Sequence, residues 1–530
     1  MEEVSRFLIS GFINSSERYT NNIALEVEGI KLSYGQLREK AESIASVLRL
    51  HEEGDGTGLS AIFAYRSVTA FAGVLGILIH GHGYVPLNPA FPIERNALML
   101  QSSGCSIVIV DGEAVNKLDR LLAVLEKRLI LIIPDLEDTS ALEARWTQHR
   151  FLNANHIKKG SFCYRKPSYT QNSIAYLLFT SGSTGTPKGV AVAQRNVISY
   201  LDFVVPRYCI TENDRCSQTF DMTFDLSAHD MFVTWEKGAC LCCLSQKDLI
   251  KPAGFITNSK LTTWFSVPST AIFMKKLGIL KPGMYPDLRL SLFCGEALPM
   301  EIAKQWAQSA PNSIIENIYG PTELTIACMA YRWDPEKTPS ECEQGLVPIG
   351  KPFDHMEAIL VDENLHEVPL GEPGELLMSG EQVSLGYWND PEKTAAAFVI
   401  PPGKAKIYYR TGDRVRFSDI GKTLVYLGRM DNQLKILGHR VELGEIEAVV
   451  RKESRIDGVV AIGWPIIPGG AGGVEIFLES EGVDISVIKN RVASILPHYM
   501  VPRKYHLLNK FPLNSNGKYD RKALAKLLET

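Results

Sequence analysis

Leu-Leu-Phe-Thr-Ser-Gly-Ser-Thr-Gly-Thr-Pro-Lys-Gly, residues 177–189, is the stretch around which the chain is organised. The apolar run 174–179 reads as a buried strand. It breaks into seven residues of Thr, Ser and Gly, then Pro187 and Lys188, and a second apolar run opens at Val190. Glycines at 182, 185 and 189 let the backbone turn tightly and approach a ligand closely. The hydroxyls of Thr180, Ser181, Ser183 and Thr184, with free loop N–H groups, offer donors to phosphate oxygens. Lys188 adds a point positive charge. The spacing is not GxxxxGK[ST], which places Ser or Thr directly after the Lys. Without context a Ser/Thr/Gly string is a flexible loop; the preceding strand and the closing Pro-Lys-Gly favour a phosphate grip.

A chain of 530 residues is too long for a single core and predicts two to four structural units. A hydrophobic share of 45% beside 22% charge fits a soluble globular enzyme. The net charge of −4, without a long Lys/Arg run, argues against a nucleic-acid surface. Met-Glu-Glu-Val-Ser has no basic leader, and the uncharged stretch 67–93 is broken by His, Gly and Pro, so no membrane span is expected. Of ten cysteines, only Cys240, Cys242 and Cys243 cluster. They lack the spaced pairs of a zinc site and sit in an apolar run, which reads as a buried strand. The expectation is a reducing cytoplasm.

Ser33 is a good N-cap for a helix running to about residue 50. Strands at 59–63, 84–87, 106–110 and 129–133 alternate with helices at 68–80, 92–103 and 113–125. That alternation predicts a parallel sheet covered by helices on both faces. Residues 135–169 lack periodicity and read as a surface connection. From Ile174 the alternation resumes, with strands near 262–266, 288–294 and 314–318 and helices at 226–234, 270–277 and 299–309. Beyond Ile326, short strands between Gly and Pro turns predict a small β-rich subdomain. Past Asp431 a compact α+β unit follows, ending in a polar tail. The expected fold class is therefore α/β: a large domain of helix-covered sheets, residues 1–430, and a small α+β domain, residues 431–530.

Five further motifs follow the loop in order: Tyr319-Gly-Pro-Thr-Glu323, Tyr409-Arg-Thr-Gly-Asp413, Gly428-Arg-Met-Asp431, Gly438-His-Arg-Val-Glu-Leu-Gly-Glu445 and Asn516-Gly-Lys518. With the loop they resemble the adenylate-forming superfamily from about Leu32 to Leu524. The resemblance is strongest to amino-acid adenylation domains of nonribosomal peptide synthesis, here as a free-standing chain. It implies ATP and Mg²⁺, and attack of a carboxylate on the α-phosphate with pyrophosphate leaving. Such a transition state spreads negative charge, so positioning and electrostatics carry the catalysis.

By that resemblance Thr180, Ser181, Gly182, Ser183, Thr184, Gly185 and Lys188 hold the β- and γ-phosphates. Glu323 is the magnesium carboxylate, since hard oxygen ligands suit that ion. Tyr319 stacks on adenine beside Asn317, Gly295, Glu296, Gly320 and Thr322. Asp413 takes the ribose hydroxyls with help from Arg429. Lys518 is the mobile catalytic lysine and Asp431 the hinge, about which loop 435–444 replaces Lys518 for thioester formation. Gln194 and Leu437 stand where relatives carry His and often Arg.

The resemblance also puts the substrate pocket on Asp225, Leu226, His229, Ser266, Leu292, Cys294, Ile318, Ile326 and Ala327. A buried Asp225 needs a cation, which an α-ammonium supplies; the alternative is a helix N-cap. His229, Ser266 and Cys294 suit a small or polar side chain: serine, cysteine, diaminopropionate or alanine, with proline open. No carrier domain follows Lys518, so a separate phosphopantetheinylated carrier protein is expected to act in trans. D-alanine–carrier protein ligase, acyl- or aryl-CoA ligase and a catalytically silent nucleotide-binding protein are the competing readings. Asp225 argues against the CoA ligases, and Lys188, Glu323, Asp413 and Lys518 against a silent protein.

Overall fold

The computed structural model describes residues 6–51, 57–158, 170–182, 186–245, 248, 251–418, 423–431, 433–467, 469–480, 482–513 and 519–529. The expected alternation builds a seven-stranded sheet with Leu59–Phe63 at its centre. On one side of it lie Ile107–Val110, Ile130–Ile133 and Arg150–Asn153; on the other, Gly83–Leu87, Ile174–Thr180 and Lys188–Ala193. All pairs are parallel except the last. The glycine-rich loop therefore joins an antiparallel pair, with Thr180 opposite Lys188. Arg150–Asn153 corrects the reading of 135–169 as surface connection. Four residues are too few to show a period, yet Phe151 and Leu152 bury against the sheet.

A nine-stranded sheet carries the second half of the large domain. Its parallel centre orders Ile314–Tyr319, Leu290–Phe293, Thr263–Ser266, Arg215–Gln218, Cys240–Cys243 and Ile23–Val27. Cys240–Cys243 is the expected buried strand. Helices Tyr34–His51 and Val68–His80 bury apolar faces in a core shared by both sheets. Ser33 begins the first of them with a reciprocal capping box: its Oγ accepts from the Gln36 N–H at 3.2 Å and Gln36 Oε1 accepts from the Ser33 N–H at 2.9 Å.

The expected β-rich unit is a five-stranded antiparallel sheet including Met356–Val361, Gly374–Gly380, Tyr408–Phe417 and Leu424–Arg429. After it, residues from Ile436 to Met500 pack a core of their own. There, helix Leu443–Ser454 covers the sheet Val459–Gly463, Val474–Glu479 and Lys504–Leu508. The last of these strands falls in the expected polar tail. It is half exposed along its length, so its residues carry little hydrophobic signal. Among the described residues, no helix is long and apolar enough to cross a membrane.

Candidate active site

Strand ends of both large sheets, the β-rich unit and the hairpin Gln433–Ile436/His439–Glu442 converge on one cavity of about 110 Å³. It is lined by Thr180, Ser181, Asp225, Leu226, Cys294, Gly295, Tyr319, Gly320, Thr322, Asp413, Arg429 and residues of the hairpin. Ligand sites commonly enclose about 300–1,000 Å³. This one is smaller because the hairpin fills its mouth.

The hairpin is held by ion pairs and hydrogen bonds to residues assigned to nucleotide. Arg440 Nη1 lies 3.0 Å from Glu323 Oε2, and Lys188 Nζ lies 3.4 Å from Oε1. The Tyr387 hydroxyl donates to the same Oε1 at 2.9 Å. Glu323 has no solvent exposure, yet the Arg440 and Lys188 cations outweigh burial and bring its pKa down to about 2. Burial lowers the pKa of Lys188, whose ammonium also sits 4.5 Å from the Tyr387 ring centre. Ser181 Oγ donates to the Arg440 carbonyl at 2.7 Å, and the Gly182 N–H donates to Glu445 Oε2 at 3.2 Å. Glu445 Oε1 pairs with Arg95 at 2.8 Å, both side chains being buried. Thr180 Oγ1 is buried without a partner among the described residues, an orphan that suits a ligand oxygen. Ser183, Thr184, Gly185 and Lys518 lie outside the described residues.

The residues expected to meet adenosine hydrogen-bond to one another and to their neighbours. The Tyr319 hydroxyl donates to Asp413 Oδ2, and Arg429 Nη1 holds Oδ1 at 2.9 Å. Gly412 makes that approach possible: its φ is +69°, and a Cβ there would lie 2.7 Å from Arg429 Nη2. Asp431 receives two more guanidinium hydrogen bonds from Arg429. Glu296 accepts from the Ser269 N–H at 2.8 Å and the Gly438 N–H at 2.5 Å. Asn317 donates to the Val347 and Pro348 carbonyls and lines a small side cavity with Gly295, Glu296, Ile318 and Lys435.

Asp225 precedes helix Leu226–Trp235 without capping it. Its Oδ2 accepts instead from the Ile326 N–H at 3.0 Å. That N–H is presented by two consecutive left-handed residues, Thr325 at φ +58° and Ile326 at φ +72°. Such backbone costs about 1–3 kcal/mol per residue and persists where surroundings enforce it. Gln382, fully buried, enforces it by donating to the carbonyls of Leu324, Thr325 and Ala327. Burial raises the pKa of Asp225 to about 7.

Of the nine pocket positions, Asp225, Leu226 and Cys294 line the cavity; His229, Ser266, Leu292, Ile318, Ile326 and Ala327 lie outside that lining and are buried. His229 Nδ1 shares a 2.6 Å hydrogen bond with the Tyr200 hydroxyl, and burial depresses its pKa to about 3. Ser266 Oγ accepts from Trp264 Nε1 at 2.9 Å and donates to the Val267 carbonyl at 3.2 Å. The Cys294 thiol is pushed up to about 12 and stays neutral. So two of the three polar groups expected to meet the substrate side chain are engaged elsewhere.

Residues 12–388 match the family described as AMP-binding enzyme. The chain belongs to the AMP-binding enzyme family. It is 33% identical over 521 residues to tyrocidine synthase 3 of Brevibacillus parabrevis, covering 97% of this chain but 7% of that protein. It is 29% identical to the D-alanine–D-alanyl carrier protein ligase of Bacillus velezensis, covering 93% and 94% of the two chains. A crystal structure of the Vibrio cholerae adenylation domain AlmE in complex with glycyl-adenosine-5'-phosphate superposes with a TM-score of 0.89 at 30% identity, covering 100% and 99%. This AMP-binding enzyme is thus of the adenylate-forming kind, which uses ATP, and its fold is that of adenylation domains. The Bacillus velezensis relative is by its name a ligase acting on a carrier protein.

Several residues of the enzyme's site escaped sequence reasoning. Arg440 and His439 stand inside a quoted motif without an assigned role. Tyr387, Arg95 and Gln382 carry no local signal, because each acts on residues more than fifty positions away.

Proposed function

We propose that the chain activates a small α-amino acid, glycine or alanine, as its adenylate at the expense of ATP. It then passes the aminoacyl group to the phosphopantetheine thiol of a carrier protein. Asp225 is the observation that carries this reading. A buried carboxylate with a backbone N–H as its hydrogen-bond donor is costly unless a cation joins it, and the substrate's ammonium is that cation. Fatty and aryl acids bring none. His229 Nδ1 and Ser266 Oγ already hydrogen-bond Tyr200, Trp264 and Val267, which leaves the Cys294 thiol, a weak donor, as the one of the three polar groups on the cavity wall. Serine and diaminopropionate therefore fall behind glycine and alanine. The glycyl adenylate bound by AlmE and the D-alanine named for the carrier ligase support the same size class.

In the first step Thr180, Ser181, Gly182, Lys188 and the loop residues 183–185 grip the β- and γ-phosphates. Asp413 and Arg429 hold the ribose, and Tyr319 meets adenine. Glu323 is ionised, buried and rich in oxygen acceptors, a fit for Mg²⁺ together with phosphate oxygens. When bound, the ion neutralises charge on the departing pyrophosphate. Among the described residues no cluster of three or more His, Cys, Asp or Glu forms a metal cage.

The hairpin now on Glu323 and the phosphate loop must leave for ATP to enter. Turning about Asp431 brings Lys518 to the α-phosphate for the first step and returns the hairpin for the second. Incubating the enzyme with glycine or alanine, MgATP and a purified holo-carrier, then reading intact mass, tests the proposal. The aminoacyl increment on the carrier is expected. Release of thioester to free coenzyme A, with the carrier unloaded, would reassign the chain to the CoA ligases.

A further inference from the structure

His229 lies one turn of helix beyond Asp225 and Leu226, which line the cavity, so its ring is on the same helix face and next in line behind that wall. Aromatic neighbours from two other elements box it in. Phe265, on strand Thr263–Ser266, meets the imidazole edge-to-face at 4.7 Å. Tyr200 and Tyr208, on helix Gln194–Tyr208, stand at 5.9 and 6.4 Å. Tyr200 is backed in turn by Phe353 at 6.3 Å, and Phe353 stacks on Phe203 at 4.0 Å. Phe265 shares a core with Leu226, Cys294 and Ile318, so this block of rings supports the cavity wall from behind.

Packing alone does not call for a tyrosine at 200, since Phe would fill the same core. The hydroxyl is used: it lies 2.6 Å from His229 Nδ1, the only hydrogen bond the imidazole makes among the described residues. Burial raises the pKa of Tyr200 well above its ordinary 10.0 and lowers that of His229 to about 3. The phenol therefore keeps its proton, the imidazole is neutral, and the O–H donates to Nδ1. That bond fixes both the tautomer and the orientation of the ring. Asp225 and Cys294, both on the cavity wall, are near enough to act electrostatically on the same hydroxyl.

We propose that Tyr200 sets the upper size of the substrate side chain by pinning His229 in the room that a longer side chain would need. This rests on the reading of the substrate as an α-amino acid held on Asp225. With the ammonium there, a substrate side chain meets Leu226 and Cys294 first and the His229 block behind them. A hydrogen or a methyl group stops short of that block. A propyl group requires the imidazole to turn away, which the hydrogen bond from Tyr200 opposes. Tyr200 is thus a positioning residue: it acts on the substrate only through His229.

The test is pyrophosphate exchange with glycine, alanine, 2-aminobutyrate and norvaline, whose side chains lengthen one carbon at a time. Tyr200→Phe keeps the ring and removes the hydroxyl. Its kcat/KM for norvaline relative to glycine is expected to rise about tenfold over wild type, the lower end of what one methylene is worth in an apolar pocket. His229→Ala, which removes the imidazole itself, should raise that ratio at least as far. Adding Tyr200→Phe to His229→Ala should then move the ratio by less than about threefold, because the hydroxyl has nothing left to hold. A purely structural tyrosine would not show that dependence. A Tyr200→Phe ratio within about threefold of wild type, an equal loss with all four amino acids, or effects that simply add in the double variant would overturn the proposal. Wild-type exchange strongest with an aromatic amino acid, or with an acid lacking an amine, would overturn the substrate reading itself.

Discussion

Replacing Asp225 by Ala removes the charge on which the proposed substrate's ammonium rests. The carboxylate is buried, and Leu226 and Cys294 beside it are neutral. Breaking one member of a buried pair costs about 3–5 kcal/mol. At 1.36 kcal/mol per decade that is about 10²–10⁴ in kcat/KM for the amino acid. Of the expected nucleotide residues Thr322 hydrogen-bonds it, while no hydrogen bond joins it to Thr180, Ser181, Lys188, Asp413 or Arg429 among the described residues, so KM for ATP should move by less than about threefold. Stability should change the other way. An acid whose folded pKa is raised from an ordinary 3.8 to about 7 destabilises the fold increasingly as pH climbs between those values. At 1.36 kcal/mol per pH unit the cost at pH 8 is at most about 4 kcal/mol. Asp225→Asn, which keeps the shape, should thus raise Tm at pH 8 and lose that advantage near pH 4. Amino-acid-dependent pyrophosphate exchange with varied amino acid and ATP, beside thermal unfolding at both pH values, measures all of this. A loss of kcat/KM below about tenfold, or equal losses for both substrates, would refute the reasoning.

The raised pKa of Asp225 also sets a pH dependence: below about 7 the ammonium must displace a proton, so KM for the amino acid should rise as pH falls, by up to about tenfold per pH unit. A flat KM from pH 5.5 to 8 would deny Asp225 that role. Lys518→Ala should cut adenylate formation by about 10²–10⁴-fold while leaving transfer from pre-formed adenylate far less affected, as loss of a positioned charge implies. Equal loss of both half-reactions, measured by single turnover, would sink the domain rotation. Gln382→Ala frees three buried carbonyls behind the strained Thr325–Ile326 turn and should cost about 1–3 kcal/mol of stability. It should also raise KM for the amino acid more than KM for ATP, because Ile326 orients Asp225; unchanged amino-acid KM would make Gln382 purely structural.

Much of the fold was legible because the signals were local. The buried strands 59–63, 107–110 and 130–133 are short apolar runs, and Ser33 with Gln36 spells out its helix start. The loop at 177–189, Tyr319 and Asp413 could be located because each sits in a specific string, the first two at strand ends and Asp413 within the strand Tyr408–Phe417. What stayed hidden is tertiary. His229 is a polar residue at a pocket position, and nothing local shows that Tyr200, twenty-nine residues earlier, already holds it. Arg95 belongs to an ordinary amphipathic helix, yet it meets Glu445 some 350 positions later. The strands 150–153 and 504–508 are too short or too exposed to show a period.

Pyrophosphate exchange with the twenty protein amino acids, D-alanine and several aryl and fatty acids tests the central claim most directly. The account predicts strongest exchange with glycine or alanine, with either stereoisomer of the latter, and none above background with acids that lack an α-ammonium. Strongest exchange with an aromatic amino acid, or with a carboxylic acid bearing no amine, would contradict it.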